Sequence, residues 1–365
     1  MIGMTLWLAS LLLVAGGAAY FILTRFRKFY IVQKIAGDRK WLSWVIACIP
    51  IVIAIIFGIF FMIPTVIIVI HAFIFWILFS IGGTILGKIT KKHPKYYISG
   101  ALTICFTAVY FVYAFFAMTT VFQTNYEFTS NKTQGEQLRI AMIADSHMGT
   151  AFDGKGFIKH LERMKKTNPD VFVIVGDYVD DDTKKIDMLK ATQAMRDWKP
   201  KYGKYFIWGN HDDPYFRYRD FSTNELKQEL KKAGFVILDD KNVYIGKNKQ
   251  FCLLGRNDRT DKGRMTPAQL AKGVDRSKYL IMLDHQPNDY ANQKGIGLDM
   301  VLSGHTHGGQ MIPITFTGQL TSTVDQEYGQ ENIDGTNFIV TSGIAGWGCP
   351  FKTGCISEYV IIDIK

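Results

Sequence analysis

Four apolar stretches, roughly residues 4–23, 42–62, 65–87 and 100–122, crowd the first third of this 365-residue chain. Each is long enough to cross a bilayer, which takes about 20 residues. Only eleven charged side chains occur in residues 1–122, and ten of them are basic, a net charge of +9. They gather between the stretches: Arg25, Arg27, Lys28, Lys34, Arg39 and Lys40 in one loop, Lys88, Lys91, Lys92 and Lys95 in another. A buried helical bundle in water would show polar faces along these segments, and they have none. The second and third stretches are divided only near Pro64. One helix across both would measure about 69 Å at 1.5 Å per residue, twice a bilayer, so a hairpin is expected there.

By the positive-inside rule both basic loops face the cytoplasm. Four crossings then place residues 123 onward on the opposite side, in a multi-pass cell-membrane protein whose larger part is extracytoplasmic. No basic segment precedes the first apolar stretch, so it reads as a span rather than a cleaved signal peptide. Residues 123–365 carry a net charge of only +1, so the basic pI of about 9.2 belongs to the membrane loops. A nucleic-acid partner, which wants a basic face on the soluble part, is not expected. The chain divides into a four-span anchor over 1–122, a polar linker or entry strand over 123–137 and a second domain over 138–365.

In that second domain short apolar runs alternate with helical periods. Strands are expected at 138–144, 171–175, 205–208, 235–238, 243–245, 251–254, 279–283, 300–302, 338–340 and 359–362, and helices at 153–167, 184–198, 222–233 and 266–272. This density of mixed elements points to an α/β arrangement of sheets covered by helices. Five of the apolar runs stop at a residue that can bind a metal: Asp145-Ser-His147, Gly176-Asp177, Gly209-Asn-His-Asp212, His285, and Gly304-His-Thr-His-Gly-Gly-Gln310. Five of the eight histidines lie in these short stretches. Open α/β sheets gather their ligands beyond the carboxyl ends of strands, so these side chains are expected to converge. Carboxylate, imidazole and carboxamide donors together suit Mn²⁺, Zn²⁺, Fe or Mg²⁺. Two ions ~3.5–4 Å apart need a bridging ligand, and a carboxylate can bridge. Gly176, Gly209 and Gly304 precede ligands where a side chain would crowd the site.

The ordered set Asp-x-His, Gly-Asp, Gly-Asn-His-Asp, a lone His and Gly-His-x-His resembles the calcineurin-like metallophosphoesterase family. With an N-terminal four-helix membrane region it is similar to the bacterial membrane-anchored members. Each motif alone is weak, but five in order over 145–310 are specific. The resemblance implies a four-layer α/β/β/α sandwich binding two divalent metal ions. It also implies that Asp145, His147 and His307 hold one ion, that Asn210, His285 and His305 hold the other, and that Asp177 bridges them. His211 would stabilise the phosphoryl transition state, and Asp212 would orient His211. Hydrolysis of a phosphate ester or pyrophosphate bond by metal-hydroxide attack follows from the same resemblance.

Several residues stand outside that set. Arg256 and Arg259 follow a strand and are candidates to bind substrate phosphate. Asp180, Asp181 and Asp182 read as a solvated helix start. Trp347 and Phe351, in a glycine-rich loop, can wall an apolar part of a substrate. Cys349 and Cys355 flank that loop, and a disulfide and two free thiols both remain open. With the domain outside the membrane, a phosphorylated cell-envelope component, lipid-linked or nucleotide-linked, is the expected substrate. The rival reading is a non-catalytic metal- or lipid-binding scaffold or sensor that keeps the fold. A transporter is disfavoured because the spans hold no charged residue in their interiors.

Overall fold

The computed structural model describes residues 16–91, 96–213, 219–313, 315 and 317–365. The chain forms two compact units, residues 1–113 and 114–365. Most of the first expected span, 4–23, lies outside the described residues; its remainder belongs to a helix α1 over 16–26. After α2 (Tyr30–Ala36) come α3 (Lys40–Phe60), α4 (Met62–Thr90) and α5 (Ile98–Thr119). Among the described residues these three are long and apolar enough to cross a membrane; they match the second, third and fourth of the four expected spans. The break between α3 and α4 falls at Phe61, whose φ/ψ of −136°/61° is not helical. The two helices then pack on each other.

Apolar side chains in the first unit point outward: Ile59, Phe60 and Ile89 are each nearly three-quarters exposed. Such surface is costly in water and matched to lipid, so composition and exposure agree on a bilayer as the solvent.

Among its described residues the second unit holds twelve strands in two six-stranded sheets. In chain order its elements are β1 (Val121–Phe128), β2 (Leu138–Ile143), α6 (Gly154–Lys165), β3 (Val171–Val175), α7 (Lys185–Arg196), β4 (Lys204–Ile207), α8 (Thr223–Lys232) and β5 (Phe235–Ile237). There follow β6 (Lys241–Ile245), β7 (Phe251–Gly255), α9 (Pro267–Leu270), β8 (Tyr279–Leu283), α10 (Tyr290–Gln293), β9 (Met300–Ser303), α11 (Thr317–Leu320), β10 (Gly329–Ile333), β11 (Thr336–Val340) and β12 (Ser357–Ile364). The first sheet runs β1-β12-β2-β3-β4-β5 and the second β10-β11-β9-β8-β7-β6. All ten expected strands and four helices are present. The segment read as a linker or entry strand begins as a strand: most of β1 lies in it, and β1 pairs with β12 at the edge of the first sheet.

Alternation along each strand sorts its side chains between two faces. Ile140, Met142, Val173, Val175 and Ile207 of the first sheet meet Leu253, Ile281, Leu283, Leu302 and Ile339 of the second in one core. The opposite face of the first sheet carries Ala141, Ile143, Phe172 and Ile174 against Phe157, Leu161, Met188 and Leu226 of α6, α7 and α8. The outer face of the second sheet packs Leu254, Met282 and Phe338 against Leu270 and Tyr290. Strands covered on both faces read as unbroken apolar runs, which is why Val171–Val175 and Tyr279–Leu283 contain no polar residue. The caps are local and conventional: Asp153 accepts from Gly156 N–H at the start of α6, and Ser222 and Glu225 form a capping box on α8.

Candidate metal centre

β2, β3 and β4 are parallel neighbours in the first sheet, and β8 and β9 in the second. Asp145, His147, Asp177, Asn210 and His211 follow the carboxyl ends of the first three; His285, His305 and His307 follow the other two. Two groups result. Ligand atoms of Asp145, His147 and His307 lie within 4.8 Å of one another, and so do those of Asp177, His285 and His305. Asp145, His147, Asp177, His285 and His307 are all buried.

The backbone at these positions is unusual. Asp145, His147, Asp177, His305 and His307 all have positive φ, between 33° and 73°. Non-glycine residues adopt such angles at a cost of order 1–3 kcal/mol each, and clustering of them is characteristic of functional sites. The glycines beside them are required by contact. A methyl group on Gly176 would stand 2.5 Å from His285 Nδ1, one on Gly209 2.3 Å from the Asp177 backbone nitrogen, and one on Gly304 2.5 Å from Asp145 Oδ2.

The histidines share one orientation. His285 Nδ1 lies 2.8 Å from Val175 O. A carbonyl only accepts, so Nδ1 carries the proton, and in the neutral ring Nε2 holds a lone pair. That Nε2 faces the Asp177 carboxylate, 3.1 Å from Oδ2. Two lone pairs at that distance repel unless a cation, a proton or a metal ion, lies between them. His147 repeats the pattern: Nδ1 is 3.2 Å from Asp180 Oδ2, while Nε2 is 3.6 Å from Asp177 Oδ2 and 3.9 Å from Asp145 Oδ1. His307 turns Nδ1 toward Ala345 O at 3.5 Å and Nε2 toward Asp145 Oδ1 at 3.8 Å. Anchoring the outer ring nitrogen so that the inner one is presented is how metal-binding histidines are held. Asn210 Oδ1 is buried without a hydrogen-bond partner, a donor-ready oxygen of the kind that a cation satisfies.

The electrostatics follow from packing carboxylates and imidazoles together out of water. Burial, with the Asp177 charge beside it, pushes the Asp145 carboxyl up to about 6, against the pull of His285. Burial works against the charged form of His285, but the Asp177 carboxylate outweighs it and the pKa rises. His211 lies beside the group, its ring centroid 5.2 Å from that of His147. Its backbone N–H donates to Asp177 Oδ1 at 2.8 Å. Burial lowers its pKa although Asp177 opposes the shift, so at neutral pH the imidazole is uncharged.

Three residues have partners that the sequence did not show. Asp212 accepts from four backbone N–H groups, those of Asp177, Tyr178, Val179 and Gly209, at 2.8–3.2 Å. It therefore fixes the turn that presents Asp177. Arg256 is no phosphate ligand: it is 4% exposed and its Nη1 pairs with Asp284 at 2.8 Å and Asp289 at 2.6 Å. Arg259 stands exposed in the turn beyond β7. Asp180, read as a solvated helix start, is buried against His147, and that contact holds its carboxyl below the usual range despite burial. Nothing in a run of three aspartates says which one turns inward. Cys349 and Cys355 are free thiols; Cys355 Sγ donates to His307 O at 2.9 Å and Cys349 Sγ lies 3.3 Å from Gln310 Nε2.

A model of the calcineurin-like phosphoesterase family matches residues 138–309, and the chain belongs to that family. An uncharacterised metallophosphoesterase of Aquifex aeolicus is 30% identical over 247 residues, which cover 65% of this chain and 88% of that protein. One from Campylobacter jejuni is 30% identical over 234 residues, 63% of this chain and 60% of its own. A Danio rerio transmembrane protein with a metallophosphoesterase domain is 28% identical over 243 residues, 62% of this chain and 53% of its own. The chain thus spans less than two thirds of the last two.

Proposed function

We propose that this chain is a membrane-anchored phosphoesterase with a two-metal site. In this reading Asp145, His147 and His307 hold one ion, Asn210, His285 and His305 hold the other, and Asp177 is shared. The carrying observation is that His147 Nε2 and His285 Nε2 both face one oxygen, Asp177 Oδ2, at 3.6 and 3.1 Å. One carboxylate oxygen approached by two lone pairs suits a bridge between two cations. When bound, the ions supply Lewis-acid polarisation of the phosphoryl group and activation of a water nucleophile at neutral pH.

The protein's own contribution is positioning. Asp212 fixes the backbone turn that carries Asp177. Asp180, Val175 O and Ala345 O set the directions of three imidazoles. His211, uncharged at neutral pH and tethered through its backbone to Asp177, offers a ring N–H to the oxygens on which charge develops. The three successive cores around the two sheets support the four-layer α/β/β/α sandwich. The long apolar helices, and the transmembrane relative, support anchoring in the cell membrane. The unequal distribution of basic residues between the membrane loops supports an extracytoplasmic site, and with it a lipid-linked or other cell-envelope phosphate as substrate. A reporter fused after residue 365 tests that side; cytoplasmic signal overturns the placement.

The full chain, assayed with p-nitrophenyl phosphate and bis-p-nitrophenyl phosphate under Mn²⁺, Zn²⁺, Mg²⁺ and Ca²⁺, tests the activity. Metal-dependent release is expected, and its ester preference separates monoesterase from diesterase. His211→Ala should lower kcat by about 10²–10³, the usual effect of removing one transition-state donor, with metal content unchanged. Loss of metal in that variant contradicts the role given to His211.

A further inference from the structure

Gln310 closes the turn that carries His305 and His307, yet it plays no part in holding the ions. Its side-chain amide grips the backbone of Trp347 from both directions. Trp347 N–H donates to Gln310 Oε1 at 3.0 Å, and Gln310 Nε2 donates to Trp347 O, also at 3.0 Å. The same Nε2 reaches Phe351 O at 3.2 Å. The indole so fixed lies over His211, ring centroids 5.2 Å apart and planes 34° from parallel, and is 47% exposed. A large aromatic ring beside His211, its backbone tethered by Gln310 and its face left open to its surroundings, is surface that a ligand can cover.

The other side of this loop rests on the end of α5. Lys352 N–H donates to Ala114 O at 3.0 Å, and Ser357 Oγ donates to Met118 O at 2.9 Å. Gly346 is so close that a methyl group there would stand 3.0 Å from Met118 Cε. Ala114, Ala117 and Met118 are therefore buried under the loop, while Phe115 and Phe116 on the remaining faces of the same turn are over half exposed. Phe116 also packs edge-on against Phe122, just past the end of the helix. Phe115 and Phe116 lie near the end of α5, a 22-residue helix long and apolar enough to cross a membrane, so exposed aromatic surface stands at the point where that helix stops. Ile312, 47% exposed, joins the same loop through its N–H to Thr353 Oγ1 at 3.1 Å.

Taking the site to be the phosphoesterase proposed above, we infer that Trp347 is a specificity-determining residue for a phosphate carried on a bilayer-embedded lipid. The loop at the end of α5 sets its indole at headgroup level beside His211. The phosphate enters the cluster of carboxylates and imidazoles, and the first apolar atoms of the lipid lie against the ring. Gln310 is the positioning residue that keeps the indole there.

The test uses the full chain in phosphatidylcholine vesicles with Mn²⁺. The embedded substrates are phosphatidic acid, a monoester, and phosphatidylglycerol, a diester, each paired with its deacylated water-soluble counterpart. Wild-type protein should favour one embedded substrate over its counterpart. Trp347→Ala should lower the ratio of embedded-lipid to p-nitrophenyl phosphate kcat/KM by about tenfold, the contribution of part of one indole, with Trp347→Phe intermediate. Gln310→Ala should move the ratio in the same direction. Turnover of p-nitrophenyl phosphate without turnover of either lipid overturns the inference, as does an equal fall on lipid and soluble substrates. No turnover of any ester with any metal defeats instead the phosphoesterase reading. A readout without catalysis is tryptophan fluorescence in vesicles of lipid brominated near the headgroup. The component lost in Trp347→Phe should be quenched, and an unquenched component overturns the placement at the bilayer.

Discussion

The two sheets bring different chemistry to the same point. The first supplies both carboxylates, the carboxamide, one imidazole of the cluster and His211; the second supplies three imidazoles and no carboxylate. In the proposed two-metal reading neither would hold a complete ligand set: Asp145 and His147 would need His307 from across the interface, and Asp177 and Asn210 would need His285 and His305. The site is thus a product of sheet packing, and the core of Ile140, Val173, Ile281 and Leu302 that joins the sheets also sets the distance between donors.

Breaking that division at its shared member should have the largest effect. Asp177→Asn removes the one charge common to both halves, so both ions and on the order of a thousandfold or more of the activity should go. Elemental analysis beside the ester assay checks this, and retention of one full equivalent of metal counts against a shared ligand. His305→Ala, confined to the second sheet, should leave about one ion per chain and lower activity on the order of a hundredfold. A stoichiometry near zero there means the halves are not independent. Asp180→Asn tests the support behind one imidazole: metal affinity at the Asp145, His147 and His307 half should weaken about 10–100-fold, read by competition with a chelator.

The smallest effect lies away from the site, on the helices that cover the first sheet. Burial, helped by Arg163 and Lys159, lowers the pKa of His160 on α6 to about 4, below its ordinary 6.5. The unfolded chain therefore takes up a proton at a pH where the folded chain does not. Stability should fall as pH drops from about 6.5 toward 4, and His160→Leu should flatten that slope in thermal melts between pH 6.5 and 5.

How much of this could be read from sequence depended on which residues advertise their surroundings. Strands covered on both faces announce themselves as apolar runs, and a ligand at the end of such a run is visible in one dimension. β1 and β10 are edge strands with polar, outward-facing residues such as Gln123, Glu127, Gln330 and Glu331, so no pattern distinguishes them from loops. Arg256 resembled an anion ligand because Asp284 and Asp289, which neutralise it, lie 28 and 33 positions away. Asp212 and Asp180 belong to the same class. Their partners are fixed by the packing of loops, and a motif shows only that a carboxylate is present.

The place of β12 has a consequence for how the protein is made. It lies between β1 and β2, parallel to the first and antiparallel to the second, though its sequence follows theirs by more than two hundred residues. At 5–20 residues per second, β1 and β2 wait on the order of tens of seconds for the strand that joins them. Through that interval the facing edges of β1 and β2 stay open. The first sheet is therefore joined only once Ser357–Ile364 has been made, and a nascent chain stalled before Ser357 would carry the residues of both clusters without the strand that links β1 to β2.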